Sequence, residues 1–171
     1  GMIIEHFSMA VRSPEGLVYE GTTYFGFFTY AALADQIGIR EATPYVPEQS
    51  DLARAAAHDY PVESPFPDET WGMIDRVAAY VPDGGPHGLG FIRGTKRVDP
   101  DEWFFKAHFY QDPVCPGSLG LESFLQLLKV VAADRWNAGN GAEFETMALG
   151  EPHEWIYRGQ IIPTDHEVTV E

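Results

Sequence analysis

Two runs of apolar, aromatic and β-branched residues open the chain, with a polar turn between them. The first run extends from Ile3 to Val11 and the second from Leu17 to Phe28, and the sequence Ser-Pro-Glu-Gly at 13–16 separates them. β-Branched and aromatic residues favour strands, whereas proline, glycine and serine favour turns. The pattern predicts a β-hairpin over these residues.

A short helix and a proline-rich stretch are expected after the hairpin. Between Thr29 and Gly38, apolar residues recur at helical spacing, at Tyr30, Leu33, Ala34 and Ile37. Residues 43–68 combine acidic residues with prolines at Pro44, Pro47, Pro61, Pro65 and Pro67. This composition is typical of a linker, with a short helix over 51–58. The sequence therefore predicts three parts, at residues 1–42, 43–68 and 69–171.

The part at 69–171 alternates strand and helix signals. Its predicted strands are Gly72–Tyr80, Gly88–Arg97, Glu154–Ile162 and Glu167–Glu171. The sequence Pro-Asp-Gly-Gly-Pro at 82–86 predicts a turn between the first two strands. A helix is predicted over Ser118–Trp136, because Pro-Gly precedes it and a loop rich in Asn and Gly follows it.

Apolar residues lie on nearly all sides of this predicted helix, so we expect other elements to surround it. Glu122, Gln126 and Lys129 fall at positions i, i+4 and i+7 and form one polar stripe. Two interpretations stay open: a solvated edge of the helix, or a polar seam that faces an enclosed pocket. In the second case, burial raises the pKa of a carboxyl group and suits it to donate a proton near neutral pH.

Composition narrows the classes of function. The 171 residues are 44% hydrophobic, which suffices for a packed domain, and the formal charge of −15 disfavours nucleic acid and anionic membranes as partners. No apolar run approaches the ~20 residues of a membrane span. The single cysteine, Cys115, cannot form an internal disulfide, so a reducing cytoplasm is expected. The histidines and Cys115 show no metal-ligand spacing, and neither a metal nor another cofactor is expected.

The most informative segment extends from His108 to Glu122. It reads His-Phe-Tyr-Gln-Asp-Pro-Val-Cys-Pro-Gly-Ser-Leu-Gly-Leu-Glu, and Gln126 follows in the same helix. The segment resembles the active site of the bacterial 3-hydroxyacyl-(acyl carrier protein) dehydratases, in which a histidine precedes a Pro-x-x-Pro-Gly turn and a helical carboxylate. The resemblance covers about residues 65–171 and is closest to the dehydratase regions of polyunsaturated-fatty-acid and iterative polyketide synthases.

The resemblance implies an α+β hot-dog fold, in which an antiparallel β-sheet wraps around a long central helix. It also implies that His108 and Glu122 are the catalytic acid/base pair. Gly117, Ser118 and Gln126 are the expected substrate-binding residues, Gly117 acting through its amide, and Gln126 is also expected to orient Glu122. Cys115 is expected to be a small buried apolar residue rather than a nucleophile.

The expected reaction converts a 3-hydroxyacyl thioester into a trans-2-enoyl thioester in fatty-acid or polyketide synthesis. It needs one base for the C2 proton and one acid for the departing hydroxyl group. The isomerising subgroup carries aspartate at the position of Glu122, so elimination is implied while double-bond isomerisation stays open. Two alternatives also stay open: an acyl thioesterase on the same fold, and a non-catalytic scaffold half of a dehydratase pseudo-dimer.

Two partners follow from the resemblance. One is an acyl carrier protein domain that carries acyl-phosphopantetheine. The other is a second hot-dog unit, in a homodimer or a tandem pseudo-dimer, because in this family the histidine and the carboxylate of one site come from neighbouring units.

The ends of the chain are expected to cut across two units. Gly1 before Met2 resembles the remnant of a removed tag, residues 1–30 resemble the closing strands of a preceding unit, and the family continues with further strands after Val170. We expect the hairpin to pair with the vacant edge of the sheet that contains residues 154–171. This pairing would form within the chain or with a neighbour, and residues 43–68 would span the distance.

Overall fold

The structure, a computed structural model, describes residues 2–34, 38–43, 45–63, 65–138, 141–144 and 150–171. Gly1, Ile37 and Pro44, which carry parts of the predictions above, lie outside these residues. The chain divides into two units, Gly1–Arg40 and Glu41–Glu171. Within the described residues, no helix combines the length and the apolar character that crossing a membrane requires.

The first unit contains the predicted hairpin, which is confirmed. Strand β1 (Met2–Ser13) pairs antiparallel with β2 (Gly16–Phe28), and the register runs from Met2↔Phe28 to Ser13↔Gly16. Helix α1 (Tyr30–Leu33) follows, and the Thr29 hydroxyl accepts a hydrogen bond from the Ala32 N–H at 3.3 Å. This helix is shorter than the one predicted over 29–38.

The strands β1 and β2 form a sheet of their own in the described part of the chain. Pairing of this hairpin with the sheet of residues 154–171 within the chain stays a prediction. The two-residue turn at Pro14 and Glu15 lets each strand satisfy one edge locally, without a distant partner. Exchange of the hairpin with a neighbouring copy stays a prediction, as does its origin in a preceding unit.

The second unit is built on an antiparallel sheet of four strands in the order β3-β4-β5-β6. The strands are β3 (Ala56–Asp59), β4 (Arg76–Val81), β5 (Phe91–Arg97) and β6 (Glu167–Val170). Its helices are α2 (Gln49–Arg54), α3 (Trp103–Ala107) and α4 (Gly117–Trp136), and a 3₁₀ turn covers Glu69–Trp71. The long helix α4 and the strand β6 agree with the sequence-based predictions.

Four elements differ from the predictions. The stretch expected to be a linker contains β3, which pairs with β4. Strand β4 begins late because the Met73 N–H donates to the Gln126 side chain at 2.8 Å and does not join the ladder. Strand β5 begins late because Gly88 and Gly90 have positive φ angles of 64° and 117°. Helix α3 was not predicted.

The predicted strand over 154–162 is wrong, since these residues have no regular secondary structure. Trp155 and Tyr157 contact the first turns of α4, at Gly120 and Gly117, so the segment follows the helix rather than a sheet edge. The Cys115 N–H donates to the Ile161 carbonyl at 2.9 Å, which fixes the end of the segment.

Helix α4 packs through two clusters of buried residues, the first against the sheet and the second against α3. The first contains Tyr60, Ile74, Val77, Tyr80, Leu127, Val130 and Val170. The second contains Met73, Phe104, Phe105, Cys115 and Leu119. Gly94 in β5 permits the close approach, because a Cβ there would lie 2.8 Å from a methyl group of Leu127. Burial of these side chains places the start of α4 beside α3.

Candidate active site

The polar stripe of α4 points inward. Gln126 is 0% exposed, and the side chains of Lys129 and Glu122 are 15% and 26% exposed. The interpretation of the stripe as a solvated edge of the helix is therefore wrong. Glu122 is held by both neighbours: Gln126 Nε2 donates to its Oε1 at 3.0 Å, and Lys129 Nζ lies 3.9 Å from the same oxygen.

Gln126 uses its whole side-chain amide in hydrogen bonds within the chain. Its Oε1 accepts from the Met73 N–H at 2.8 Å, and its Nε2 donates to the Trp71 carbonyl at 2.8 Å and to Glu122. These bonds tie the stretch before β4 to the carboxylate, and they explain how a fully buried amide is tolerated. The predicted orienting bond to Glu122 is present. Because no part of the side chain is exposed, the geometry favours this role over direct contact with a substrate.

Tyr60 supports the same network from the segment after β3. Its hydroxyl donates to the Gln126 backbone carbonyl at 3.0 Å, and the residue is 6% exposed. Burial, reinforced by the nearby charge of Glu122, raises the pKa of the Tyr60 hydroxyl well above its ordinary value. The Tyr60 hydroxyl therefore stays protonated and remains a donor throughout the neutral range.

An apolar side of α4 is open in this chain, which corrects the expectation of a helix surrounded on all sides. Phe124, Leu128 and Trp136 are 37%, 59% and 75% exposed. Exposed apolar residues clustered on one element mark surfaces that contact something else.

His108 is placed by the end of α3. The buried side chains of Phe104 and Phe105 anchor this helix, and the His108 N–H donates to the Phe104 carbonyl at 2.9 Å. The imidazole Nδ1 lies 2.9 Å from the Val114 carbonyl oxygen. A carbonyl can only accept, so Nδ1 carries the proton. In the neutral ring this leaves the Nε2 lone pair free to act as a base.

The turn after His108 holds an unusual backbone conformation. Phe109 and Gln111 have positive φ angles of 58° and 60°, a region that large side chains rarely occupy. The rings of Phe109 and His108 lie 4.2 Å apart between centroids. Strained residues of this kind cluster at functional sites, where the surrounding structure holds them.

The start of α4 offers free backbone donors. Helix α4 begins at Gly117 after Pro116, and no side-chain hydrogen bond caps it. The amides of Gly117 and Ser118 belong to the first turn, which carries the positive end of the helix dipole. A Cβ at Gly117 would lie 3.0 Å from the Tyr157 ring, so contact with Tyr157 explains why a residue without a side chain stands at this position. This contact was not foreseen from the sequence.

Cys115 lies beside a small apolar cavity of about 40 Å³, lined also by Phe105, Leu119 and Ile161. Burial, and to a lesser extent the charge of Glu102, raises the pKa of the Cys115 thiol to about 11. A thiol of this kind is a poor nucleophile at neutral pH. His108 and Glu122 do not line the cavity, whose volume has room for only a few water-sized groups.

A profile of the FabA-like domain matches residues 66–171 of the chain. The chain belongs to this family. Its fold is therefore the α+β hot-dog fold, as predicted, with α4 as the central helix of the FabA-like domain. A relative is found within the polyunsaturated fatty acid synthase of Thraustochytrium sp., in one of its subunits, with 31% identity over 193 residues. The alignment covers 99% of this chain but only 13% of the relative.

The FabA-like domain joins Glu122 to Gln126 by a hydrogen bond and to Lys129 by an ion pair, while the imidazole of His108 lies against the Val114 carbonyl. In the described part of the chain, no hydrogen bond or ring contact joins His108 to Glu122. Sequence analysis missed Tyr60, Trp71 and Met73 as the supports of Gln126. Two of these contacts use backbone atoms, which carry no signal in the sequence. Among the described residues, no group of three or more His, Cys, Asp or Glu side chains is arranged to hold a metal.

Proposed function

We propose that this FabA-like domain removes water from a 3-hydroxyacyl thioester on an acyl carrier protein and yields a trans-2-enoyl thioester. The observation that carries the proposal is that the side chains at the two ends of the motif, His108 and Glu122, are each fixed by a hydrogen bond. His108 has a fixed tautomer with Nε2 free, and Glu122 has one oxygen held by Gln126. Family membership over residues 66–171 supports the same reaction.

His108 is the base in this proposal. Its Nε2 takes the proton from C2 of the acyl chain, and the electron pair of that C–H bond forms the double bond between C2 and C3. The Val114 carbonyl accepts from Nδ1–H at 2.9 Å, and this bond strengthens as the ring becomes positively charged. Val114 and Cys115 are both buried, and this burial keeps the Val114 carbonyl in place.

Glu122 is the acid. As the bond between C3 and oxygen breaks, the carboxyl group transfers its proton to the leaving hydroxyl group, and water departs. Glu122 ends the step as a carboxylate and His108 as an imidazolium. Proton transfer from the ring back to the carboxylate, through solvent, restores the starting state.

The start of α4 stabilises the thioester oxygen in this proposal. Negative charge accumulates there as C2 loses its proton, and uncapped amides at a helix N-terminus suit such a charge. The amides of Gly117 and Ser118 occupy this position, and no side-chain bond competes for them.

Two partners complete the proposal. An acyl carrier protein domain delivers the substrate on phosphopantetheine, and a second hot-dog unit, identical or in tandem, completes the site. No hydrogen bond joins His108 to Glu122 within the described chain, which leaves room for a site shared between units. The open apolar side of α4, at Phe124 and Leu128, offers a surface for such a neighbour.

Substitution of the two proposed catalytic residues tests the assignment. We expect His108→Ala and Glu122→Ala each to lower the rate of water loss by about 10²–10⁴-fold, the usual contribution of a general acid or base. The rate is measured by mass spectrometry of a 3-hydroxyacyl carrier protein, and circular dichroism checks the fold. His87→Ala and Glu143→Ala, at exposed positions, are the matched controls. A folded His108→Ala or Glu122→Ala variant with near wild-type turnover would overturn the role of that residue.

A further inference from the structure

Lys129 occupies an unusual position for a lysine. Its side chain is 15% exposed, on the inward stripe of α4, and its Nζ lies 3.9 Å from Glu122 Oε1. Lysine is rarely buried unless it is paired, because the ammonium group loses its hydration. By contrast, Lys106 pairs with Asp101 at 3.5 Å where both side chains are largely exposed, at 66% and 86%.

The contacts distinguish the two oxygens of Glu122. Gln126 Nε2 donates to Oε1 at 3.0 Å, and the Lys129 ammonium lies on the same oxygen. No hydrogen bond or ion pair reaches Oε2 from the described residues. Because Gln126 donates to Oε1, this oxygen acts as an acceptor, and the proton of the neutral acid belongs on Oε2.

This arrangement matters when the proton leaves. In the elimination, the Oε2–H bond breaks, the proton joins the departing hydroxyl oxygen to form water, and the electron pair stays on the Glu122 carboxylate. A positive charge already in place near Oε1 stabilises the negative charge that develops there, and it does so without reorganisation.

We propose that Lys129 is a positioning residue for Glu122 in the reaction assigned above, and this role rests on that proposed function. Together with Gln126 it holds Oε1, presents Oε2 to the substrate, and stabilises the carboxylate formed when water departs. Lys129 acts through Glu122 and does not touch the substrate.

The role predicts a defined kinetic signature. Lys129→Met keeps the length and much of the apolar stem but removes the charge, so we expect kcat to fall roughly tenfold, equivalent to about 1.4 kcal/mol. KM should stay within about twofold of the wild type, since an interaction made mainly in the transition state changes kcat. Lys129→Arg keeps the charge and should recover most of the rate. Lys106→Met should behave as the wild type because exposed ion pairs contribute little.

The experiment measures kcat and KM of the full chain and these three variants on the 3-hydroxybutyryl thioester of N-acetylcysteamine, with thermal unfolding as a check of the fold. A Lys129→Met variant as active as Lys106→Met overturns the role, as does a rise in KM at unchanged kcat. Failure of Lys129→Arg to recover any rate, with the fold intact, also overturns it. If Lys129→Met does not fold, Lys129→Gln takes its place under the same criteria.

The wild-type measurement separates the two proposals. If the wild type eliminates water and Lys129→Met does so equally well, only the role of Lys129 fails. If the wild type eliminates no water from this thioester or from a 3-hydroxyacyl carrier protein, the proposed function fails and the role of Lys129 fails with it.

Discussion

Helix α4 buries the apolar side chains of Leu119, Leu127 and Val130, yet two of its other sides depart from the usual arrangement of a helix in a folded chain. The polar stripe of Glu122, Gln126 and Lys129 faces inward, whereas Phe124 and Leu128 face outward. Hydropathy alone would place these residues the other way round. This difference agrees with the proposals above, in which the inward side carries the chemistry and the outward side contacts another surface.

The inward side is stable because its polar atoms are satisfied. Gln126 makes three side-chain hydrogen bonds, to Met73, Trp71 and Glu122, and Tyr60 adds a bond to its backbone carbonyl. Buried polar groups are tolerated when they are paired in this way. In the described part of the chain the outward side chains make no such bonds, and under the proposal above a second unit covers their apolar surface.

Of the two sides, breaking the inward one should have the larger effect on stability. Gln126→Ala leaves the buried Met73 N–H without its acceptor and the Trp71 carbonyl without its donor, and an unsatisfied buried group costs about 1–3 kcal/mol. We expect the free energy of unfolding to fall by roughly 2–4 kcal/mol, measured by urea denaturation. A decrease below about 0.5 kcal/mol would show that the network does not support the fold.

Tyr60 gives a smaller, pH-dependent effect on the inward side. Burial raises the pKa of its hydroxyl in the folded state above the value of 10.0 for an ordinary tyrosine. Above about pH 10 the unfolded chain releases this proton while the folded chain keeps it, so stability falls as pH rises, by up to about 1.4 kcal/mol per pH unit.

Comparison with a variant isolates the contribution of Tyr60. Tyr60→Phe has no hydroxyl to titrate. Its free energy of unfolding should therefore fall less between pH 10 and 11 than that of the wild type. Urea denaturation at both pH values measures this difference, and Tyr110→Phe, at a position 91% exposed, is the control. The same alkaline slope in Tyr60→Phe and the wild type would argue against burial of the hydroxyl. Cys115, with a pKa of about 11, contributes equally to both proteins.

The outward side should give the smallest effect on the stability of the single chain. Leu128 is 59% exposed, so Leu128→Ser should change the free energy of unfolding of the separated chain by no more than about 0.5 kcal/mol. The same variant should weaken association between copies, measured by analytical ultracentrifugation. Leu127→Ser, at a buried neighbour, should instead unfold the chain readily. If Leu128→Ser associates as tightly as the wild type, the proposed contact through the apolar side of α4 is wrong.

Sequence reasoning predicted the elements whose signals are local. The hairpin over 2–28 and helix α4 follow from strand propensity, turn residues and a Pro-Gly start. The stripe of Glu122, Gln126 and Lys129 follows from helical periodicity. Strand β3 was missed because prolines surround it and only pairing with β4 makes it a strand. The strand expected over 154–162 failed because packing of Tyr157 on Gly117 decides the path of that segment.

The candidate site was predictable in its side chains but not in its backbone. The motif indicated His108, Glu122 and Gln126, since these residues stand at fixed spacing in the sequence. The Val114 carbonyl that fixes the tautomer of His108 could not be predicted, because any residue could supply it. The same holds for the Met73 amide and the Trp71 carbonyl, which long-range folding brings to Gln126.

Mass spectrometry of the carrier-bound product tests the central claim most directly. A 3-hydroxyacyl group on an acyl carrier protein is incubated with the wild-type chain, and the mass of the carrier protein is followed over time. The account predicts loss of one water molecule with the thioester intact. Release of the acyl group as a free acid would identify a thioesterase, and a carrier protein of unchanged mass would contradict the assignment of His108 and Glu122 as a dehydrating pair.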